Sequence, residues 1–154
     1  MSKQHHYSLL IKWAGNKGSG TNSYTTYSRN YSVFIQNKPE LFCSSDAAFR
    51  GDETKYTPED LLLASLSGCH MLWYLHLCSQ AGIVVTDYID NAKGTMIVTE
   101  DGGGYFSEVT LYPEIILQNN LMKEKANGLH VKANKLCFIA NSCNFPINHK
   151  PAYK

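Results

Sequence analysis

Hydrophobic and polar residues alternate in blocks along the chain, and each block predicts an element. Residues 7–13, 23–27 and 31–35 are rich in aromatic and branched side chains and are separated by turn formers such as Gly15-Asn16-Lys17-Gly18, which predicts an antiparallel meander. Residues 37–56 are polar and lack a regular period, so they predict a loop long enough to carry function. A helix is predicted from Thr57, whose hydroxyl can cap it. Pro58 takes the first helical position, and Glu59 and Asp60 sit at the positive end of the dipole. It runs to Gln80, where Ala81-Gly82 supplies a glycine stop. Its apolar positions go nearly all the way round, the pattern of a helix at the centre of a domain or in an interface. Residues 83–99 and 105–117 read as a second antiparallel pair, joined by a glycine-rich turn over 100–104. Over 120–139 the spacing of Leu121, Met122, Ala126, Leu129, Ala133, Leu136 and Cys137 predicts an amphipathic helix with its lysines outward.

No repeat, low-complexity tract or linker divides the chain, so residues 1–154 are expected to form a single domain. A hydrophobic fraction of 44%, a charged fraction of 18% and a net charge of +1 give no electrostatic reason to expect nucleic acid or an anionic membrane surface. Partners are expected to be small molecules or protein. The start of the chain leads only into the short apolar stretch Leu9-Leu10-Ile11, and no run reads as approaching membrane-spanning length, so a cytoplasmic protein is expected. In that compartment the five cysteines, an odd set, are expected to rest as thiols rather than as a disulfide framework.

Cys69 lies in the middle of the apolar helix. With Cys137 in the other predicted helix, it points to two-cysteine redox chemistry rather than a staple, although by pattern alone Cys137 reads as an inert core thiol. Trp73 follows Cys69 by one helical turn and Leu66 precedes it, so both are placed to wall an apolar pocket. Gly68 weakens the helix by about 1 kcal/mol relative to alanine. That is understandable if another chain or a substrate approaches closely, or if the helix packs tightly. His70 points about 100° away from Cys69 and reads as a core or interface histidine, as do His76 and His130. Cys78 falls on roughly the opposite face, and Cys43 and Cys143 lack a motif. Neither C-x-x-C nor H-x-x-x-H spacing is present, so neither a metal nor a bound cofactor is expected.

Three stretches carry a resemblance to a known family. Thr57-Pro58-Glu59-Asp60-Leu61-Leu62 followed by Gly68-Cys69-His70 resembles the Asn-Pro-Glu-Glu-Leu block and peroxidatic cysteine of the osmotically inducible protein C and organic hydroperoxide resistance (OsmC/Ohr) family. Residues 129–142 resemble the block that bears its second cysteine, and the order of predicted elements is similar over the whole chain. Phe138 stands where many members have proline, and Asn134 where a histidine is common, which looks like a less characterised OsmC-like branch.

The resemblance implies an α+β OsmC-like fold, with antiparallel sheets around two central helices in an intertwined homodimer. It also implies a thiol peroxidase for organic hydroperoxides, with Cys69 peroxidatic, Cys137 resolving and an external dithiol, a lipoyl group in relatives, as reductant. Relatives activate the thiol with an arginine held by the glutamate that corresponds to Glu59. The chain offers Arg50, in the loop feeding the helix, and then Arg29. Glu59 and Cys69 are separated by roughly 15 Å along the helix and by roughly 80° around it, so one arginine cannot readily touch both in one helix. Glu59 is therefore expected from a second subunit, with the active site at the dimer interface. The alternative is a binding or redox-sensing protein that keeps the fold without turnover.

Overall fold

The computed structural model describes residues 3–154; Met1 and Ser2, part of the start read above for a leader, lie outside it. The chain divides into two compact units, one ending at Leu61 and one running from Leu62 to Lys154.

In the N-terminal unit, β1 (Leu10–Trp13), β2 (Tyr31–Phe34) and β3 (Leu41–Cys43) form an antiparallel sheet in the order β1-β2-β3. Leu10 stands opposite Phe34, and Tyr31 opposite Cys43. The expected strand over 23–27 is instead a set of turns. Thr26 Oγ1 accepts from Ser23 N–H and donates to Ser23 O, so local side-chain bonds take the backbone groups that a ladder would use. β3 falls inside the expected loop, because three residues are too few to show a period. The rest of that loop holds a 3₁₀ turn at Ala47–Phe49, capped by Asp46 Oδ1 on Ala48 N–H at 2.7 Å.

Helix α1 spans Pro58–Gln80, as the capping residues predict. Asp60 N–H donates to Thr57 Oγ1 at 3.1 Å and Thr57 N–H to Asp60 Oδ2 at 2.9 Å, a reciprocal capping box. Gly82, at φ 70°, ends the helix in the left-handed conformation. α1 is long and apolar enough to cross a membrane by length and composition, contrary to the sequence reading. It is nonetheless built as a core helix, with the buried stripe Leu66, His70, Tyr74, Leu77 and Cys78 down one side. Apolar residues outside the stripe, such as Leu72, stay exposed.

In the C-terminal unit, β4 (Val85–Asp90), β5 (Lys93–Val98), β6 (Gly104–Leu111) and β7 (Pro113–Leu117) form the expected antiparallel pair, broken in the middle. β5 pairs with β6 and β4 with β7, so one long hairpin feeds two sheets. Asp90 sits at the break. Its Oδ1 accepts from Tyr112 N–H at 2.7 Å, a donor the bend removes from the ladder, and its Oδ2 accepts from Ser67 Oγ on α1 at 2.5 Å. Two short strands, β8 (Ile147–His149) and β9 (Ala152–Tyr153), add parallel edges to β6 and β7. The sheets are thus mixed rather than purely antiparallel. Helix α2 spans Lys123–Leu136. Tyr74, Leu77 and Cys78 of α1 pack with Ile115 and Leu117 of β7 and with Ala126 and Ala133 of α2, while Leu66 packs on Val109 and Leu111 of β6.

Candidate functional site

Cys69 is half-buried on α1, one helical turn before Trp73. Cys137 is not inside the second helix, as expected, but just past its end, with an extended backbone at φ −65° and ψ 112°. The helix stops there because its last carbonyls find side-chain partners: Asn141 Nδ2 donates to Lys135 O at 3.0 Å. The chain then turns back in a 3₁₀ turn at Ala140–Ser142, and Ala140 N–H donates to Cys137 Sγ at 3.4 Å.

This exit brings Cys137 to Cys69. The buried Cys137 thiol has the Cys69 side chain as its interacting neighbour. Burial first, and then the neighbouring Cys69, push the Cys137 thiol up to about 11, so Cys137 holds its proton at neutral pH.

Over Cys69 lies a pocket of about 360 Å³, lined by Cys69, Leu72, Trp73, His76 and Phe138. Four of the five come from α1 at positions i, i+3, i+4 and i+7, which share one helical face. Trp73 serves as a wall, as expected, whereas Leu66 turns into the core. Leu72, His76 and Phe138 were not assigned to the pocket from sequence. The i+3 and i+7 spacing from Cys69 marks the first two. Phe138 joins because the chain reverses at Cys137, and its ring stands edge-on to Trp73 with centroids 5.6 Å apart. His76 is exposed at the pocket, not a core histidine, and also stands edge-on to Trp73.

His70 and His130 are core histidines. His70 Nε2 and His130 Nδ1 share a hydrogen bond at 2.9 Å, their rings lie 5° from parallel, and His149 stacks on both. Tyr74 lies flat on His130 at 4.0 Å and its hydroxyl meets that of Tyr153. Burial, and then the neighbouring histidines, lower His70 to about 4 and His130 to about 3, so the stack is neutral. Cys78 and Cys43 are buried, and Cys143 is half-buried. Among the described residues no group of three metal-ligating side chains is placed to hold an ion.

The remaining predicted site residues, Glu59, Arg50 and Arg29, stand in the N-terminal unit. Among the described residues neither arginine pairs with Glu59; the ion pairs are Lys55–Asp52 and Lys154–Glu114. Arg50 is exposed, in a left-handed conformation at φ 65°. Arg29 is held instead: its guanidinium lies over Tyr24 at 4.1 Å and Tyr27 at 4.3 Å, and Nη1 donates to Tyr27 O. Arg29 Nη2 and Glu59 Oε2 are both buried without a hydrogen-bond partner among the described residues.

The chain thus combines an α+β fold with two neighbouring thiols beneath an apolar pocket. The family model for OsmC-like proteins matches residues 51–151, and the chain belongs to that family. No curated protein matches it. Among solved structures, an OsmC-like protein of unknown function from Vibrio cholerae aligns with a TM-score of 0.86 at 23% identity, over 96% of this chain and 99% of that one. An organic hydroperoxide resistance protein from Elizabethkingia anophelis aligns with a TM-score of 0.71 at 21% identity, over 100% and 99%. The organic hydroperoxide resistance protein OhrB of Bacillus subtilis aligns with a TM-score of 0.67 at 18% identity, over 97% and 98%. At these identities the likeness is one of fold.

Proposed function

We propose that the protein is a cysteine-based peroxidase that reduces organic hydroperoxides, working as a cytoplasmic homodimer recycled by an external dithiol such as a lipoyl group. The observation that carries this reading is the placement of buried Cys137 beside Cys69, beneath an apolar pocket. In the first step the Cys69 thiolate attacks the terminal peroxide oxygen and the O–O bond breaks. The alkoxide takes a proton and leaves as an alcohol, and Cys69 becomes a sulfenic acid. In the second step Cys137 loses its proton and attacks the sulfenic sulfur, water leaves, and a Cys69–Cys137 disulfide forms. Two electrons from the external dithiol restore both thiols.

Arg29 is a better candidate than Arg50 for the activating cation, because its guanidinium is held by two aromatic rings and keeps a buried donor unspent. Glu59, with a buried oxygen equally unspent, is its candidate partner, supplied across the subunit interface. The exposed Leu9, Leu10 and Ile11 around β1, and Leu72 on α1, support a second copy as the partner that covers apolar surface. The test is consumption of tert-butyl hydroperoxide with dihydrolipoamide. The wild-type protein turns it over and Cys69→Ser does not; equal turnover in that variant would refute the assignment.

A further inference from the structure

The pocket over Cys69 has a polar end that the peroxide chemistry does not use. Leu72, Trp73 and Phe138 are apolar and Cys69 supplies the reacting sulfur, which leaves His76 as the one lining side chain with a nitrogen free of an aromatic indole. His76 stands seven residues after Cys69 on the same helical face, so the two lie roughly 10 Å apart along the axis with Leu72 and Trp73 between them. Trp73 stands edge-on to both Phe138 and His76, with centroids 5.6 and 5.8 Å away, and all three rings line the pocket. Among the described residues no carboxylate lines the pocket, and neither ion pair involves His76. A ligand that crosses the apolar stretch therefore meets, at its far end, a side chain that can donate a hydrogen bond.

Resting on the peroxidase reading of Cys69, we infer that His76 is a specificity-determining residue that selects hydroperoxides bearing a carboxylate about 10 Å from the peroxide, across an apolar chain. The peroxide meets Cys69, the hydrocarbon lies along Leu72 and Trp73, and the carboxylate accepts a hydrogen bond from the His76 ring. A neutral ester of the same acid keeps the apolar contact and loses the charge-assisted bond, which is worth about a factor of ten in binding.

The test compares a medium-chain hydroperoxide carrying its peroxide and carboxyl at opposite ends with its methyl ester. In the wild-type protein kcat/KM is expected to favour the acid by about tenfold. His76→Leu brings the ratio close to one by lowering the acid more than the ester, and His76→Lys restores the preference. Equal kcat/KM for acid and ester in the wild-type protein, or an unchanged ratio in His76→Leu, would overturn the inference. A second arm does not depend on turnover: decanoate and methyl decanoate are compared as protectants of Cys69 against alkylation. Stronger protection by decanoate that is lost in His76→Leu supports the role of His76 even if no hydroperoxide is consumed, and equal protection defeats it even if tert-butyl hydroperoxide is turned over.

Discussion

Cys69 and His70 are consecutive on α1, yet they meet α2 and its exit in opposite ways. Cys69 faces an apolar pocket with Cys137 as its neighbour, whereas His70 is fully buried and shares a hydrogen bond with His130 inside a stack of rings. Neighbours on a helix point about 100° apart, so a single pair of helices presents two different seams. The histidine seam has one low-energy state, because its rings are packed flat and held neutral. On the proposed peroxidase mechanism the thiol seam has two covalent states, dithiol and disulfide. What the contrast teaches is a division of labour: the inner pair fixes how the helices meet, and the outer pair is thereby kept as neighbours.

The largest effect expected from breaking this comparison is at Cys137. Cys137→Ser should still be oxidised once at Cys69 but should form no intramolecular disulfide, as intact mass and sulfenic-acid trapping would show. Because Cys137 lies well above neutral pH, its thiolate fraction rises about tenfold per pH unit below about 11. Disulfide formation in a single turnover should therefore accelerate with pH across the neutral range. A flat profile would mean that another group takes the proton.

The histidine seam comes next. His70 and His130 bind protons less readily when folded than when unfolded, so their contribution is fully present above the unfolded value of about 6.5 and is lost as pH falls toward about 4. Urea unfolding at pH 7 and pH 4.5 should differ by on the order of 3 kcal/mol in stability. His130→Leu leaves the His70 ring nitrogen unpaired and should cost about 1–3 kcal/mol at pH 7 while flattening the acid dependence. A variant with an undiminished acid slope would place the titration elsewhere.

The two seams were unequally legible in the sequence. α1 could be read to the residue because Thr57, Pro58, Asp60 and Gly82 each carry a local capping mechanism. The buried state of His70 and His130 followed from pattern, but their pairing with each other depends on how α2 crosses α1, which no local signal encodes. The thiol pair was legible through family likeness, not through geometry, since Cys137 reaches Cys69 only because the helix ends at Leu136. The strand at Leu41–Cys43 and the edges at Ile147–His149 and Ala152–Tyr153 are too short for a period of two to register. His76, by contrast, was available from spacing alone, as the i+7 member of the stripe that starts at Cys69.

A smaller effect is expected at the pocket rim. Phe138→Ala removes an edge-on contact with Trp73 from a residue that is 69% exposed, so stability should fall by about 0.5 kcal/mol. Efficiency with bulky hydroperoxides should fall by about threefold, with tert-butyl hydroperoxide less affected, because only a large substrate spans Trp73 and Phe138. Equal losses for both substrates would mean that Phe138 acts on the cysteines rather than on the pocket.

The smallest change separates what this chain does alone from what it does in pairs. Gly68 precedes Cys69, and a Cβ placed there meets no atom within 4 Å, so tight packing within the described residues does not explain the glycine. For an isolated chain, Gly68→Ala should stabilise by up to about 1 kcal/mol through helix propensity. If a second copy approaches α1 at this point, as the proposed interface requires, the added methyl group meets the partner and the sign reverses. The expected outcome is no gain in the urea midpoint together with weaker self-association in sedimentation. A clean stabilisation with unchanged association would remove Gly68 from the interface and leave substrate access as the remaining reason for a glycine beside Cys69.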